Sequence, residues 1–523
     1  MTNAANIAQY TATQSSSTQV LSYLIPSFVA GLLLPFGFAP FHFPGLAILG
    51  LVLLYRLLQQ KTRRQTLMIG LSFGLGFFGL GVSWVCVSIH TYGHLHLLLA
   101  CGITLLFVGY LALFTGLFAL SYHALACPQS TVYNAILFAA LWCASEYLRA
   151  NFLSGFPWLL LGFGQMDTPL KLLLPVIGVY GVGFFACFAA ACLALETRST
   201  RAHITKLTSV VALLLSPLAL QSIPWGSTST HPIPISVIQA NLSMRDKWDD
   251  ALFWQLLNTY QSHIEHSIAQ GNLIVLPESA IPLPPSYIAD YLEHLHEKAK
   301  TRDSAILMGV PLPTNPQETN YFNAMITLGA ADGTYLKQHL VPFGEYIPKP
   351  FQTLMDWLSL PNANMQPGRP HQSLIRVQTY PVATLICYEL AYPQLLRAQL
   401  PEAAWIVSIS DDGWFGHSFA MYQQLQMAQV LSMQTARFQV VANNDGLSSV
   451  INTKGEITAS LPAFRAGVLQ AEIQPTTGQT PWVILGDSPA LFLCALIILR
   501  AFVRSRLVKN PWPFWQRKIE KFR

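Results

Sequence analysis

One residue able to do covalent chemistry stands apart in this chain: Cys387, in ATLICYELAYP (Ala383–Pro393), at the end of an apolar run and two positions before Glu389. Of the eight cysteines, Cys86, Cys101, Cys127, Cys143, Cys187, Cys192 and Cys494 lie in or beside long apolar stretches, and Cys387 alone falls in the more polar half. It has no neighbour for a disulfide, and no Cys-x-x-Cys or His-x-x-x-His grouping offers a metal site. Taken singly, such a cysteine more often serves as a small buried hydrophobe. As a nucleophile it needs help, because a thiol titrates near ~8.5 and only the thiolate attacks a carbonyl readily. The fourteen histidines form no motif around it, although His339 and His417 lie in the same half. Carboxylates and lysines are the alternatives. Two sit in segments of unusual character: Glu278, ending the apolar run of VLPESAIP, and Lys337, in YLKQHLVPFGEYIP. Read alone, these are a turn-capping carboxylate and a solvated lysine.

The elements that must position such residues are divided by composition. The 523 residues are 52% hydrophobic and only 11% charged, with a mean hydropathy of +0.39, whereas a soluble domain carries roughly 25% charged residues. Much of the chain therefore belongs in lipid. Apolar stretches of spanning length are expected at about 19–38, 43–58, 67–89, 95–126, 132–148, 170–195, 207–223 and 482–503. The implied order is a disordered stretch over 1–18, seven transmembrane helices over 19–224, a catalytic domain over 225–480, an eighth transmembrane helix over 481–504 and a basic cytoplasmic tail over 505–523. Nothing in the first stretch resembles a cleavable signal peptide. The net charge of +5 is modest, and its lysines and arginines flank apolar segments without interleaved aromatics, which argues against nucleic acid. Clusters at Lys61–Arg64, Arg198–Lys206 and Arg500–Lys509 fall on one side if every segment crosses. That side is then the cytoplasm, and 225–480 faces the periplasm.

Residues 233–473 carry short β-rich runs separated by turn signals and amphipathic helical stretches. IPISVIQANL, NLIVLPES, SAILMGVPL, NAMITLG, VATLICYE, AWIVSISDD, FQVVANNDG and LSSVINTKG read as strands, with helices near 252–269, 286–301 and 422–435. This alternation predicts an α/β layered domain. Several runs end on a polar or reactive residue, namely Glu278, Cys387 and the aspartates of SISDDGWFG, and strand C-termini are where such sheets collect catalytic groups.

The ordered set PESAIP (277–282), KQHLVPFGEYIP (337–348), ICYE (386–389) and DGWFG (412–416) resembles the nitrilase, or carbon–nitrogen hydrolase, superfamily. That resemblance implies a four-layer α-β-β-α sandwich and a Glu–Lys–Cys triad. With about eight transmembrane helices around the domain, the chain as a whole is similar to the apolipoprotein N-acyltransferase family. Carried over position by position, Glu278 falls on the general base, Lys337 on the catalytic lysine and Cys387 on the nucleophile. Glu345, Glu389, Tyr388, Asn323 and Trp414 fall on supporting positions, and Trp248 on a tryptophan near the acyl-chain entrance. Two departures follow the cysteine: Asp411 stands where the family commonly has an asparagine, and Gln434 and Ala436 replace the glutamate and glycine of A-x-E-x-G-R.

The family reaction implies a phospholipid acyl donor, a Cys387 thioester and transfer to the N-terminal amine of a diacylglyceryl-cysteine apolipoprotein. It implies no metal or organic cofactor, a multi-pass inner-membrane location and a monomer. The apolar stretches Pro348–Pro361 and Gly416–Tyr422 suit a membrane-dipping lid or simple packing. Other readings fit the same residues: a membrane-tethered amidase or nitrilase with water as acceptor, a paralogue with reduced or altered activity, and a non-catalytic transporter or lipoprotein-binding protein that retains a degenerate nitrilase fold.

Overall fold

The structure is a computed structural model that describes residues 20–93, 95–127, 131–243, 247, 251–315, 320–353 and 365–509. The expected disordered N-terminus, Trp248, much of the 348–361 loop and most of the basic tail lie outside the described residues. Two compact units form, one from Met1–His90, Leu95–Gln221 and Asp487–Arg523, the other from Thr91–His94 and Ser222–Gly486.

The first unit is helical. Helices stand at each of the eight expected places, but among the described residues five are long and apolar enough to cross a bilayer: Val20–Gly37, Leu97–Leu125, Pro169–Ala194, Thr200–Leu220 and Ser488–Arg506. Arg63–Gly81 with Trp84–Tyr92 makes a sixth if this pair, bent by 54°, is one span. Pro44–Leu57 has 14 residues, about 21 Å of helix against a hydrocarbon core of about 30 Å. Thr131–Asn151 is longer but buries Asn134, Glu146 and Arg149. Glu146 accepts the Leu161 amide at 2.7 Å, and Arg149 donates to the carbonyls of Phe156 and Trp158 at 2.7 and 2.6 Å, so both tie the following loop to the helix. Glycines let helices approach closely. A Cβ on Gly74 would lie 2.2 Å from Thr115 Oγ1, and that hydroxyl donates to the Gly70 carbonyl at 2.9 Å.

The apolar run expected to enter the membrane at Trp482 is divided. Pro481–Leu485 is a separate short helix whose Trp482 and Val483 are buried in the second unit, and Gly486, at φ +64°, separates it from Ser488–Lys509. Hydropathy alone does not distinguish a residue buried in protein from one buried in lipid.

Among the described residues of the second unit the strands in chain order are β1 (Ser227–Thr228), β2 (Ile233–Gln239), β3 (Leu273–Val275), β4 (Ala305–Pro313), β5 (Tyr321–Gly329), β6 (Ala331–Asp332), β7 (Thr334–Leu336), β8 (Ile375–Val377), β9 (Tyr380–Ile386), β10 (Trp405–Ser410), β11 (Gln439–Asn443), β12 (Ser449–Ile451), β13 (Ile457–Ser460), β14 (Gly467–Ile473) and β15 (Thr476–Thr477). One sheet has the order β14-β2-β3-β4-β5-β7, the other β13-β12-β11-β10-β9-β8-β6, and β1 pairs with β15. Each large sheet has a parallel centre, β2-β3-β4 in the first and β9-β10-β11 in the second.

Side-chain alternation explains the layers. Ile235, Val237, Leu273 and Val275 of the first sheet share a core with Val382, Ile386, Trp405 and Val407 of the second. The residues between them point the other way. Ile274 and Ile306 pack with Leu256, Tyr260 and Ile264 of the helix Phe253–Ala269 and with Leu292 and Leu295 of Ala289–Lys300. Ala383, Leu385 and Ile406 pack with Ala428 and Leu431 of Ala420–Thr435 and with Trp482. Burial on both faces is why these strands read as continuous apolar runs, and the outcome is the expected α-β-β-α sandwich.

Candidate active site

The residues the sequence singled out follow strand ends, those of the parallel strands β3, β9 and β10 and that of the antiparallel edge strand β7. Glu278 follows β3, Lys337 follows β7 immediately, Cys387 follows β9, and Asp411 and Asp412 follow β10. Glu278 and Lys337 thus come from one sheet and Cys387 from the other. Gly309, on β4, makes room for the turn at Glu278: a Cβ there would lie 2.6 Å from Pro277 O and Ser279 N and 2.7 Å from Glu278 Cα. Cys387 opens a short 3₁₀ turn with φ +54°, a left-handed conformation that L residues adopt at a cost and that re-aims the chain as it leaves the strand.

Three donors converge on the Glu278 carboxylate. Asn323 Nδ2 reaches Oε1 at 2.6 Å, Lys337 Nζ reaches the same oxygen at 3.3 Å, and the Asp411 amide donates to Oε2 at 3.0 Å. Lys337 also donates to Glu345 Oε1 at 2.9 Å, as does Asn323 at 2.8 Å, and the other Glu345 oxygen accepts the Val341 amide at 2.8 Å. The lysine is therefore held between two carboxylates while only 1% exposed. Burial works against its ammonium, but Glu278, Glu345 and Cys387 outweigh it and keep the group charged.

Cys387 retains some exposed surface, yet burial of its thiol, then Glu278, push it well above the usual thiol range, with Lys337 opposing. The resting group is a thiol within electrostatic reach of an acceptor carboxylate and a fixed cation. That arrangement suits general-base removal of the proton during attack.

Glu389 does not touch this cluster through its carboxylate. It accepts the main-chain amides of Ile386 at 2.8 Å, Gln338 at 2.7 Å and His339 at 3.1 Å, with the Tyr335 hydroxyl 3.1 Å from both oxygens. A single buried side chain thereby joins the segment carrying Lys337 to the turn carrying Cys387. Burial raises it to about 7 against those amides and Lys337, which favour the anion.

The Tyr388 hydroxyl accepts from that of Tyr392 at 3.2 Å, and the His339 ring lies 3.7 Å from that of Tyr392 and 5.8 Å from that of Tyr388. His417 faces Phe464 at 3.9 Å. Trp414, 43% exposed, faces the Tyr92 ring at 5.9 Å.

Two residues that the sequence did not single out, Lys247 and Asp445, join the aspartates after β10. Lys247, in RDKWDD, is buried and donates to Asp411 Oδ2 and to the Glu278 carbonyl at 3.0 Å. Asp412 is pushed well above the carboxylate range by burial and by Asp445. Asp445 is pushed up to about 7 by burial and Asp411, with Lys247 opposing. The apolar strands ahead of the aspartates were legible, but nothing linked them to a lysine 164 residues away. At the departures from A-x-E-x-G-R, Ala436 takes the left-handed conformation at φ +52° that a glycine favours. Arg437 is buried, its donors directed to carbonyls including those of Ala403 at 2.8 Å and Gly478 at 2.7 Å. Burial lowers it to about 10.

Residues 30–192 match the family described as Apolipoprotein N-acyltransferase N-terminal domain, and residues 235–481 match Carbon-nitrogen hydrolase. Among full-length relatives, a protein of Methylococcus capsulatus named Apolipoprotein N-acyltransferase is 35% identical over 92% of this chain and 96% of its own length. Proteins of the same name from Coxiella burnetii and Pseudomonas syringae pv. tomato are 34% and 36% identical, covering 91% and 92% of this chain and 99% and 96% of theirs.

Proposed function

Because this chain belongs to the apolipoprotein N-acyltransferase family, we propose that it carries an acyl chain from a phospholipid, through a thioester on Cys387, to the N-terminal amine of a diacylated apolipoprotein. The observation that carries the reading is the convergence of Asn323, Lys337 and the Asp411 amide on Glu278 beside Cys387. Glu278 takes the Sγ proton as sulfur attacks the ester carbonyl carbon. Lys337 stabilises the oxyanion of the tetrahedral intermediate, a role whose loss costs roughly 100- to 1,000-fold in rate. As the C–O bond breaks, Glu278 returns the proton to the leaving lysophospholipid oxygen and the thioester remains. The apolipoprotein amine then attacks the thioester carbonyl and gives a proton through Glu278 to the departing sulfur. The product is an amide, and the thiol is restored.

A membrane enzyme suits both substrates, because each buried CH₂ of an acyl chain costs about 0.8 kcal/mol to expose to water. The reading places the protein in the bacterial inner membrane with residues 225–480 on the periplasmic face, supported by lysine and arginine clusters that share one side when all eight segments cross. It acts as a monomer and uses Trp248 for the acyl chain, with Trp414 in a supporting or substrate-binding role. The test is intact-mass spectrometry of the detergent-purified chain after incubation with phospholipid and no acceptor. An acyl adduct is expected on Cys387, discharged by a diacylated lipopeptide faster than by water and missing from Cys387→Ala. Acyl adduct of undiminished yield on Cys387→Ala refutes the nucleophile, and equal discharge by water alone favours an amidase. Restoration of lipoprotein N-acylation in cells depleted of their own enzyme, by wild type and not by Cys387→Ala, tests the activity in place.

A further inference from the structure

Lys247 is 2% exposed and lies against the general base assigned above. Its ammonium donates to the Glu278 main-chain carbonyl at 3.0 Å and to Asp411 Oδ2. Asp411 returns to the same residue from the other end, its amide donating to Glu278 Oε2 at 3.0 Å. The remaining Asp411 oxygen accepts the Gly413 amide and Asn444 Nδ2, each at 3.3 Å. Glu278 is thus held by main chain and by side chain through two residues that are themselves an ion pair. An asparagine at position 411 could accept a hydrogen bond but could not neutralise a buried ammonium, and an unpaired buried charge is costly. Asp411 is the counter-charge of this lysine.

We propose that Lys247 and Asp411 are a charge-compensated positioning pair that fixes the orientation of Glu278 and balances the charge at its back, so that the site keeps its proton-accepting power with an aspartate at position 411. This rests on the reading of Glu278 as base and Cys387 as nucleophile. Among the described residues, the charged and titratable groups around Glu278 and the pair include Lys337 and Glu345 from the segment after β7, Cys387 after β9, Asp411 and Asp412 after β10, and Lys247, with Asp445 behind them and the Tyr260 and Tyr92 hydroxyls within electrostatic reach of Asp411. Lys247 and Lys337 are the two cations of the set, so removing either partner of the pair changes the site's net charge in a defined direction.

The test is the pH profile of Cys387 alkylation by iodoacetamide, read at that one cysteine by peptide mass spectrometry on the full chain in detergent. Lys247→Met removes a positive charge and moves the half-maximal pH upward by about one unit, while Asp411→Asn removes a negative charge and moves it downward by roughly half to one unit. Lys247→Met with Asp411→Asn restores neutrality and returns the midpoint to within about 0.3 unit of wild type, the opposed single shifts cancelling. A role confined to packing moves both single variants the same way and leaves the double no better than the worse single, and that result overturns the proposal. If Lys247→Met fails to fold, Asp411→Asn decides, since it is isosteric: a midpoint that stays in place or rises refutes the pair. Glu278→Gln separates the two layers of inference. If it leaves the alkylation profile unchanged, the base assignment fails. If it moves the midpoint downward, as losing the charge that opposes the thiolate requires, while the pair variants leave the midpoint in place, only the pair fails.

Discussion

Replacing Glu389 by alanine should destabilise the catalytic unit more in acid than in base, the opposite of what its array of amide donors suggests. The substitution strands the amides of Ile386, Gln338 and His339 in a buried site, at about 1–3 kcal/mol each, or roughly 6 kcal/mol together. Against this stands the discomfort of the carboxylate itself. Its rise from the ordinary 4.5 to about 7 through burial means that the folded state binds its proton more tightly than the unfolded chain does, by roughly 3 kcal/mol. That contribution is fully present below pH 4.5 and is lost as pH rises through 7. The wild-type chain therefore forfeits about 2–3 kcal/mol between pH 5 and pH 8 at this residue, and the alanine variant, lacking the group, does not. The expected cost of Glu389→Ala is thus about 6 kcal/mol at pH 5 and about 3 kcal/mol at pH 8. At 2–4 °C per kcal/mol, the unfolding midpoint falls by about 12–24 °C and about 6–12 °C respectively. Scanning fluorimetry of both proteins in detergent at the two pH values measures the difference, and the pH response of Asp445, common to both, cancels. A larger loss at pH 8 than at pH 5 would refute the reasoning, because it would make the hydrogen-bonded anion the stabilising form.

Other expectations follow from single contacts. Gly309→Ala forces a methyl group to within 2.6 Å of the Pro277 carbonyl, displacing the turn under Glu278, and a shift of about 1 Å costs on the order of 100-fold in acyl-adduct formation; a rate within threefold of wild type counts against the turn as the positioning element. Ala436→Gly relieves the left-handed conformation at φ +52° and raises stability by about 1 kcal/mol, seen as a higher unfolding midpoint with no loss of activity. Arg437→Met leaves the buried Ala403 carbonyl without its donor and hands the carbonyls of the exposed Pro401 and Gly478 to water, at a cost of about 1–3 kcal/mol, measured by thermal inactivation.

The sequence made the sandwich legible because burial on both sheet faces leaves long apolar runs, and because those runs stop at Glu278, Cys387 and the aspartates where the strands stop. Two- and three-residue strands such as β6 and β7 are too short to carry a period. Trp482 was expected in the membrane because an indole in a protein core and one in lipid have the same hydropathy. The partners of Glu278 were partly legible: Lys337 and Asn323 stand in recognisable segments, whereas Lys247 reaches Asp411 only through the fold. Glu389 was recognised by position, but its work is on backbone amides, which every residue has and no sequence pattern marks.

That Glu278 and Lys337 hang from one sheet and Cys387 from the other has a genetic corollary. The distance between Cys387 and Glu278 is set by the thickness of the interior that Val275, Leu307, Val382 and Trp405 fill. Alleles that swell or thin this filling should be enzymatically silent at temperatures where the protein is still folded. Partial revertants should then map to the facing sheet, restoring the spacing, with the reacting residues left as they were.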